Sequence, residues 1–424
     1  MRFKILLFFS VTFLFLGEII AQKANSKKQN LENRAGFYLQ NPKQNYAKIP
    51  FEFQSNLIVL KMCLDDSDTL RLIFDTGIST NIITDTSLVR KLNLKFARRV
   101  RINGAGEEKG MMGSVSINHS LNYRDLKGSL QNLVVIDDDV LHLSEYMGMK
   151  VHGIFGHEIF NNFVVTIDYE NKFIYLYPND KFSPKPSDGS MFSIVVTQTK
   201  PYTEALQLMQ NGAYLTLRLV IDTGAGHALL LNANDTKIKL PKINVRANLG
   251  RGLNGEINGY IGRVDSLKFG ETPMKNIIAS FPDSLSFSKK FIALSEDRQG
   301  SIGSELLRRF QVTFNYAEGY ILLKPNIRRL KETFEYDMSG LEIRARGENF
   351  TNYFVHKVIP DSPADLIGIR EEDEILFLDG NSADNLTISD IYKILSKKEG
   401  KTVSFFMKRN GEVKLFEFKL KRII

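Results

Sequence analysis

Apolar positions in the first three-quarters of this chain fall in short runs rich in β-branched and aromatic residues, which predicts strands. The run at 70–74 is one of these, and it stops abruptly at Asp75, Thr76 and Gly77. Runs at 163–167 and 173–177 are separated by DYENK, which reads as a hairpin connection. Short helical turns are predicted at 84–91 and 305–309. Beyond residue 338 the pattern changes. Ser362-Pro363-Ala364 starts a short helix with proline at an early position, Gly368 ends it, and DEILFLDG follows as a strand and turn. The segment TISDIYKIL, 387–395, is a helix with Ile388, Ile391 and Leu395 along one face.

The strand pattern repeats. LRLIFDTG at 70–77 returns as LRLVIDTG at 217–224, so Asp222 lies 147 positions after Asp75. The same step relates GIFGHEIF at 153–160 to GSIGSELL at 300–307. It also relates 163–178 to 310–325, with Phe163/Phe310, Tyr169/Tyr316 and Pro178/Pro325 in register. One offset kept across three motifs marks an internal duplication. Two β lobes follow, 45–180 and 195–326, joined by a Pro- and Ser-containing linker at 181–194, with a third domain at 335–424.

Length and composition agree with several domains: 424 residues, 43% hydrophobic and 25% charged, is a folding chain. The net charge of +8 is spread out, without the basic stripe and stacking aromatics of a nucleic-acid binder. Arg2 and Lys4 precede an apolar run at 5–16, with small residues near Ala21 and Ala24. That is the layout of a signal peptide over 1–21, and it predicts export to a periplasm or the exterior, with an uncleaved signal anchor as the alternative. The run is short for a membrane span, and no span is expected after signal cleavage. Cys63 is the single cysteine, so no intramolecular disulfide forms.

Two carboxylates at strand ends can share one proton. One then takes a proton from water while the other donates to a carbonyl oxygen or a leaving amine. The glycine after each Thr permits close approach of a partner loop, and the Thr hydroxyl can brace it. On Asp75-Thr76-Gly77, Asp222-Thr223-Gly224, Ile154-Phe155-Gly156 and Ser301-Ile302-Gly303, residues 45–326 resemble the aspartic protease clan, pepsin-like and retropepsin-like enzymes. The resemblance implies a mainly β, bilobal, pseudo-twofold acid-protease fold of two retropepsin-like lobes. It also implies that Asp75 and Asp222 are catalytic, that Thr76 and Thr223 grip the facing loops, and that Gly77 and Gly224 support them. Glycine-rich stretches at 102–110 and 248–256 are the implied flaps, with Gly104, Gly106, Gly250 and Gly252 at their tips. They would close over an extended peptide. No metal or organic cofactor is implied.

Departures from the pattern are visible. Ala225 matches the retropepsin residue that follows the motif, but Ile78 matches neither branch and cannot donate a hydrogen bond. Neither flap carries a pepsin-type tyrosine, and Ser301 stands where an apolar residue is usual. GRGLNG at 250–255 fits a dinucleotide-loop pattern literally, yet a strand-like stretch follows it where a helix is required. His152 and His157 lack metal-helix spacing and read as loop or core residues.

The C-terminal segment, 335–424, resembles a PDZ domain of the kind appended to bacterial proteases, a small β domain with two helices. The resemblance implies capture of a peptide or protein C-terminus, with its carboxylate on the loop at Gly340, Leu341, Glu342 and Ile343, and Ile388 on the opposite wall. Core packing is the competing reading for Ile391 and Leu395. Together these features predict a monomeric, exported aspartic endopeptidase acting on peptides or proteins. The rivals are a catalytically dead peptide-binding protein and lobes that pair between two chains.

Overall fold

The computed structural model describes residues 35–424 apart from 66, 103, 108–109, 138, 211 and 285–297, so the expected signal peptide lies outside the described residues. The protein is mainly β. Among the described residues a 14-stranded sheet, a 10-stranded sheet and a C-terminal 6-stranded sheet carry the architecture. Where one sheet face is wet the residues alternate: in Ala47–Gln54 the first five positions run buried, exposed, buried, exposed, buried. Phe163–Asp168 is buried at every position instead, because it lies in the middle of the sheet that joins the lobes.

Each predicted hairpin forms, Phe163–Asp168 with Phe173–Pro178 and Phe310–Asn315 with Tyr320–Pro325. Their inner strands then pair with each other antiparallel, and Thr166 faces Thr313. These two residues are 147 apart and their hydroxyls bond at 2.7 Å. Self-equivalent residues facing each other place the pseudo-twofold axis between them. One continuous apolar core runs through both lobes.

Three local features differ from the sequence pattern. The expected helix at 84–91 begins only at Ser87, because the Thr84 and Asp85 amides pair with the His152 carbonyl and Asp85 Oδ1 accepts from the Ser87 amide. The turn expected at 305–309 is the helix Ser304–Leu307. Ser190–Ser193, read as linker, pairs with Tyr320–Pro325 as an outer strand. A connector that crosses a sheet edge satisfies its backbone groups by joining it.

The C-terminal sheet runs in the order Leu341–Arg346, Asn352–Val358, Glu374–Leu378, Thr402–Arg409, Glu412–Lys419, with its own core. The helix Ile388–Leu395 starts at a capping box in which Thr387 and Asp390 exchange hydrogen bonds. Its one apolar stripe, Ile388, Ile391 and Leu395, is buried in that core. Leu341 and Ile343 are buried there too. Core packing is what the domain shows for Ile391 and Leu395: a short amphipathic element has one apolar face, and the core takes it.

The connector to this domain is fixed in place. Arg309, wholly buried, donates to the carbonyls of Arg329 and Glu332 at 2.7 and 2.6 Å and lies over the Phe334 ring. Arg263 donates to the Phe334 carbonyl at 2.7 Å and to Ile424 at 3.3 Å. Among the described residues no helix is long and apolar enough to cross a membrane.

Candidate active site

Asp75 ends the strand Thr69–Asp75, and Asp222 follows the strand Leu219–Ile221 directly. Each strand is held by a parallel neighbour from the second repeated motif. Gly153–Gly156 sets Gly156 opposite Asp75, and Gly300–Ile302 sets Ile302 opposite Ile221. The Asp222 amide continues that ladder to the Ile302 carbonyl at 2.9 Å. The two Asp-Thr-Gly loops therefore sit on rigid strand ends and face each other across the pseudo-twofold axis.

Reciprocal bonds lock the loops. The Thr76 amide donates to Thr223 Oγ1 at 3.1 Å and the Thr223 amide to Thr76 Oγ1 at 3.0 Å. Each hydroxyl donates onward, Thr76 to the Ile221 carbonyl at 2.7 Å and Thr223 to the Phe74 carbonyl at 3.0 Å. Both threonines are completely buried. Thr223→Val keeps the shape but leaves the Thr76 amide and the Phe74 carbonyl without partners. Each such buried group costs about 1–3 kcal/mol, so a loss of about 2–5 kcal/mol is expected in denaturant unfolding. A loss below about 1 kcal/mol would show that the grip is not what joins the loops.

The glycines bring each loop against the opposite carboxyl. A Cβ on Gly224 would stand 2.2 Å from Asp75 Cγ, and one on Gly77 would stand 3.0 Å from Asp222 Cγ. The Gly77 amide donates to Asp75 Oδ1 at 2.5 Å and the Gly224 amide to Asp222 Oδ1 at 3.0 Å.

The two carboxyls are close enough to titrate as a pair, and both are raised above the ordinary carboxylate value. Burial, and then the negative charge of Asp222, hold Asp75 well above the ordinary carboxylate value of 3.8. Burial also raises Asp222, against the opposing charges of Arg298 and Lys200, the Gly224 amide and the hydrogen bond from Asp75. The pair titrates as a unit with one proton held over a wide range. Activity that needs this proton is lost as pH rises through the raised Asp75 value. A pH–rate profile is therefore expected to show its alkaline limb well above 3.8. A limb at or below that value would contradict the assignment.

The candidate flaps meet each other. The Gly104 amide donates to Asn254 Oδ1 at 2.9 Å, the Asn254 amide to the Ala105 carbonyl at 2.8 Å, and the Glu107 amide to the Glu256 carbonyl at 3.2 Å. Gly106 lies against the Asn254 backbone and Gly252 against the Ala105 carbonyl. Gly250 sits back from this clasp, at a bulge where its φ is +123°. GRGLNG is thus a β-hairpin tip. Asn254, 2% exposed, is the residue that sequence reading overlooked, since only the folded pair of hairpins shows that it bridges them.

Ile78 is buried in an apolar cluster with Leu57, Ile82 and Ile154, and Leu253 from the second flap packs on the same cluster. Its side chain replaces a hydrogen bond to the loop with apolar packing. Ser301 also has a physical reason: its Oγ meets Nε2 of His227 at 3.2 Å, and burial lowers that imidazole to about 4, so it stays neutral. Tyr316 lies within electrostatic reach of both carboxylates, and its hydroxyl is buried without a hydrogen-bond partner. The repeat offset identified Tyr316 as a duplicated position but not as a neighbour of the dyad. Among the described residues no group of three or more His, Cys, Asp or Glu side chains is arranged to hold a metal ion.

Comparison with known families agrees with this geometry. Residues 206–306 match the aspartyl protease family, a stretch that contains Asp222 and the second flap. Residues 338–420 match the PDZ domain family. No curated protein matches the chain.

Proposed function

We propose that this chain, which joins an aspartyl protease domain to a C-terminal PDZ domain, is an endopeptidase that hydrolyses peptide bonds with a water activated by Asp75 and Asp222. The observation that carries the reading is the pair of buried, electrostatically linked carboxyls on gripped loops. Asp222, the carboxylate, takes a proton from the water as its oxygen attacks the scissile carbonyl carbon. Asp75 donates its proton to the carbonyl oxygen, giving a neutral gem-diol. The diol collapses as one hydroxyl returns its proton to Asp75 and the nitrogen takes a proton from Asp222. The C–N bond breaks, which restores the one-proton dyad.

The flaps fit the same chemistry. Their clasp must part to admit an extended peptide and can then re-form over it, excluding water from the reacting carbonyl. Export rests on the basic start and apolar run at 2–16, and a monomer on the pairing of both lobes within one chain. The test is incubation of the purified protein with a mixed-sequence peptide pool between pH 3 and 8, with products sequenced by mass spectrometry. Internal cleavage is expected, and its absence across that range would refute the peptidase reading.

A further inference from the structure

The loop of the PDZ domain that should receive a peptide carboxylate already holds one. Asp337, buried, accepts from the amides of Ser339, Gly340 and Leu341 at 3.2, 2.5 and 3.1 Å and from the Ser339 hydroxyl at 2.6 Å. The next edge amide toward the groove, Ile343, donates to the Tyr392 hydroxyl of the facing helix at 2.8 Å. A side-chain carboxylate and a phenol thus occupy donors that β-augmentation by a peptide would need.

The groove is also covered from outside. The helix Leu143–Met147 of the first lobe packs on the edge strand Leu341–Arg346. Gly148, at φ +62°, closes against Ile388, where a Cβ would stand 3.3 Å from the isoleucine Cβ. The opposite side of the same segment faces the flap. Leu143, Met147 and Met149 belong to the apolar cluster that contains Ile78 and receives Leu253 of the second flap. Two polar links run in parallel. Lys357 pairs at 2.9 Å with Glu256, whose carbonyl is part of the flap clasp. The Ser55 amide donates to Ser389 Oγ at 3.0 Å, while Asn56 beside it donates to the Gly226 carbonyl in the Asp222 loop at 3.1 Å.

We propose that the PDZ groove is a self-occupied latch on the flaps: a peptide with a free C-terminal carboxylate displaces Asp337 and the segment 142–149, and that displacement releases the clasp between Gly104–Glu107 and Asn254–Glu256. Both states are physically defined. In the latched state the loop amides bond Asp337, the segment covers Ile388, and Leu253 is seated. In the released state the ligand carboxylate takes the amides and the segment leaves the cluster that seats Leu253. The ligand shifts the equilibrium because it binds only the released state. The gain in peptidase turnover rests on the function proposed above; the binding and flap responses do not.

The test uses the full chain carrying Asp75→Asn, so that no probe is consumed, and hydrogen exchange read by mass spectrometry. The probes are a random hexapeptide pool with free C-termini and the same pool C-terminally amidated. The free pool is expected to speed exchange over 142–149 and at the Gly104, Glu107 and Asn254 amides by about 5-fold or more, the low end of ordinary coupling, while the amidated pool does not. Gly148→Val, which crowds Ile388 and disfavours the left-handed turn, is expected to raise flap exchange without peptide. Equal responses to the two pools, binding that leaves the flap amides unchanged, or a folded Gly148→Val protein with unchanged flap exchange would each overturn the latch. If Gly148→Val does not fold, the two peptide arms decide alone. In the otherwise unaltered protein, an exchange response without any peptide cleavage would reject the peptidase reading and leave the latch standing.

Discussion

Asp75→Asn and Asp222→Asn should each lower kcat/KM for peptide cleavage by about 10⁴-fold, with the fold retained. The two carboxyls act as one unit, so the double variant should be little worse than either single one. In the proposed mechanism Asp222→Asn removes the group that accepts the proton of water, and Asp75→Asn removes the acid that protonates the carbonyl oxygen. Stability should move the other way for Asp75. Its folded value is raised by burial and by the Asp222 charge, so its favourable contribution is present below the ordinary value of 3.8 and is lost as pH rises through the folded one. Near neutral pH the neutral amide of Asp75→Asn avoids that loss, and the variant should unfold at higher denaturant than the unaltered protein. Near pH 3 the difference should vanish. Cleavage by either variant at the unaltered rate would remove the dyad from the mechanism.

Gly224→Ala should cost about 10²-fold or more in activity, while Gly77→Ala should cost less than about 10-fold. The two glycines occupy equivalent sequence positions, yet the loops do not face each other equally. The added methyl carbon would stand 2.2 Å from Asp75 Cγ in the first case and 3.0 Å from Asp222 Cγ in the second. The first contact requires Asp75 to move by more than about 1 Å to reach ordinary van der Waals distance, a displacement that typically costs about 10²-fold in rate. The second needs only a few tenths of an ångström. Overpacking also predicts a stability loss of about 1–3 kcal/mol for Gly224→Ala. Kinetics and denaturation on the two purified variants check the order, and equal effects would mean that the loops are symmetric in solution.

Much of the site could be read before folding was considered. Asp75, Thr76, Gly77 and their copies at 222–224 stand out because a 147-residue offset is a property of the chain alone. That Gly153–Gly156 and Gly300–Ile302 run parallel to the strands carrying them came only with the fold. Asn254 was not legible, because a polar residue at a glycine-rich hairpin tip has no pattern until the other hairpin meets it. That Ile391 and Leu395 pack into a core was not legible for a related reason. A stripe of apolar residues on a helix has the same spacing whether it faces a core or a ligand groove, and only the packed domain distinguishes them. Ser301 read as a departure until His227 appeared beside it.

The amino-acid order by itself therefore determined the duplication, the β class, the two Asp-Thr-Gly turns and the C-terminal domain, because repeat spacing and apolar alternation are local properties. Tertiary structure alone decided that the lobes pair through Thr166 and Thr313, that burial and the Asp222 charge raise Asp75, and that the Asp337 carboxylate sits on the amides of Ser339, Gly340 and Leu341. Those outcomes depend on burial and on through-space distances: across a 147-residue separation for the lobes and the dyad, and across a turn closed by folding for Asp337.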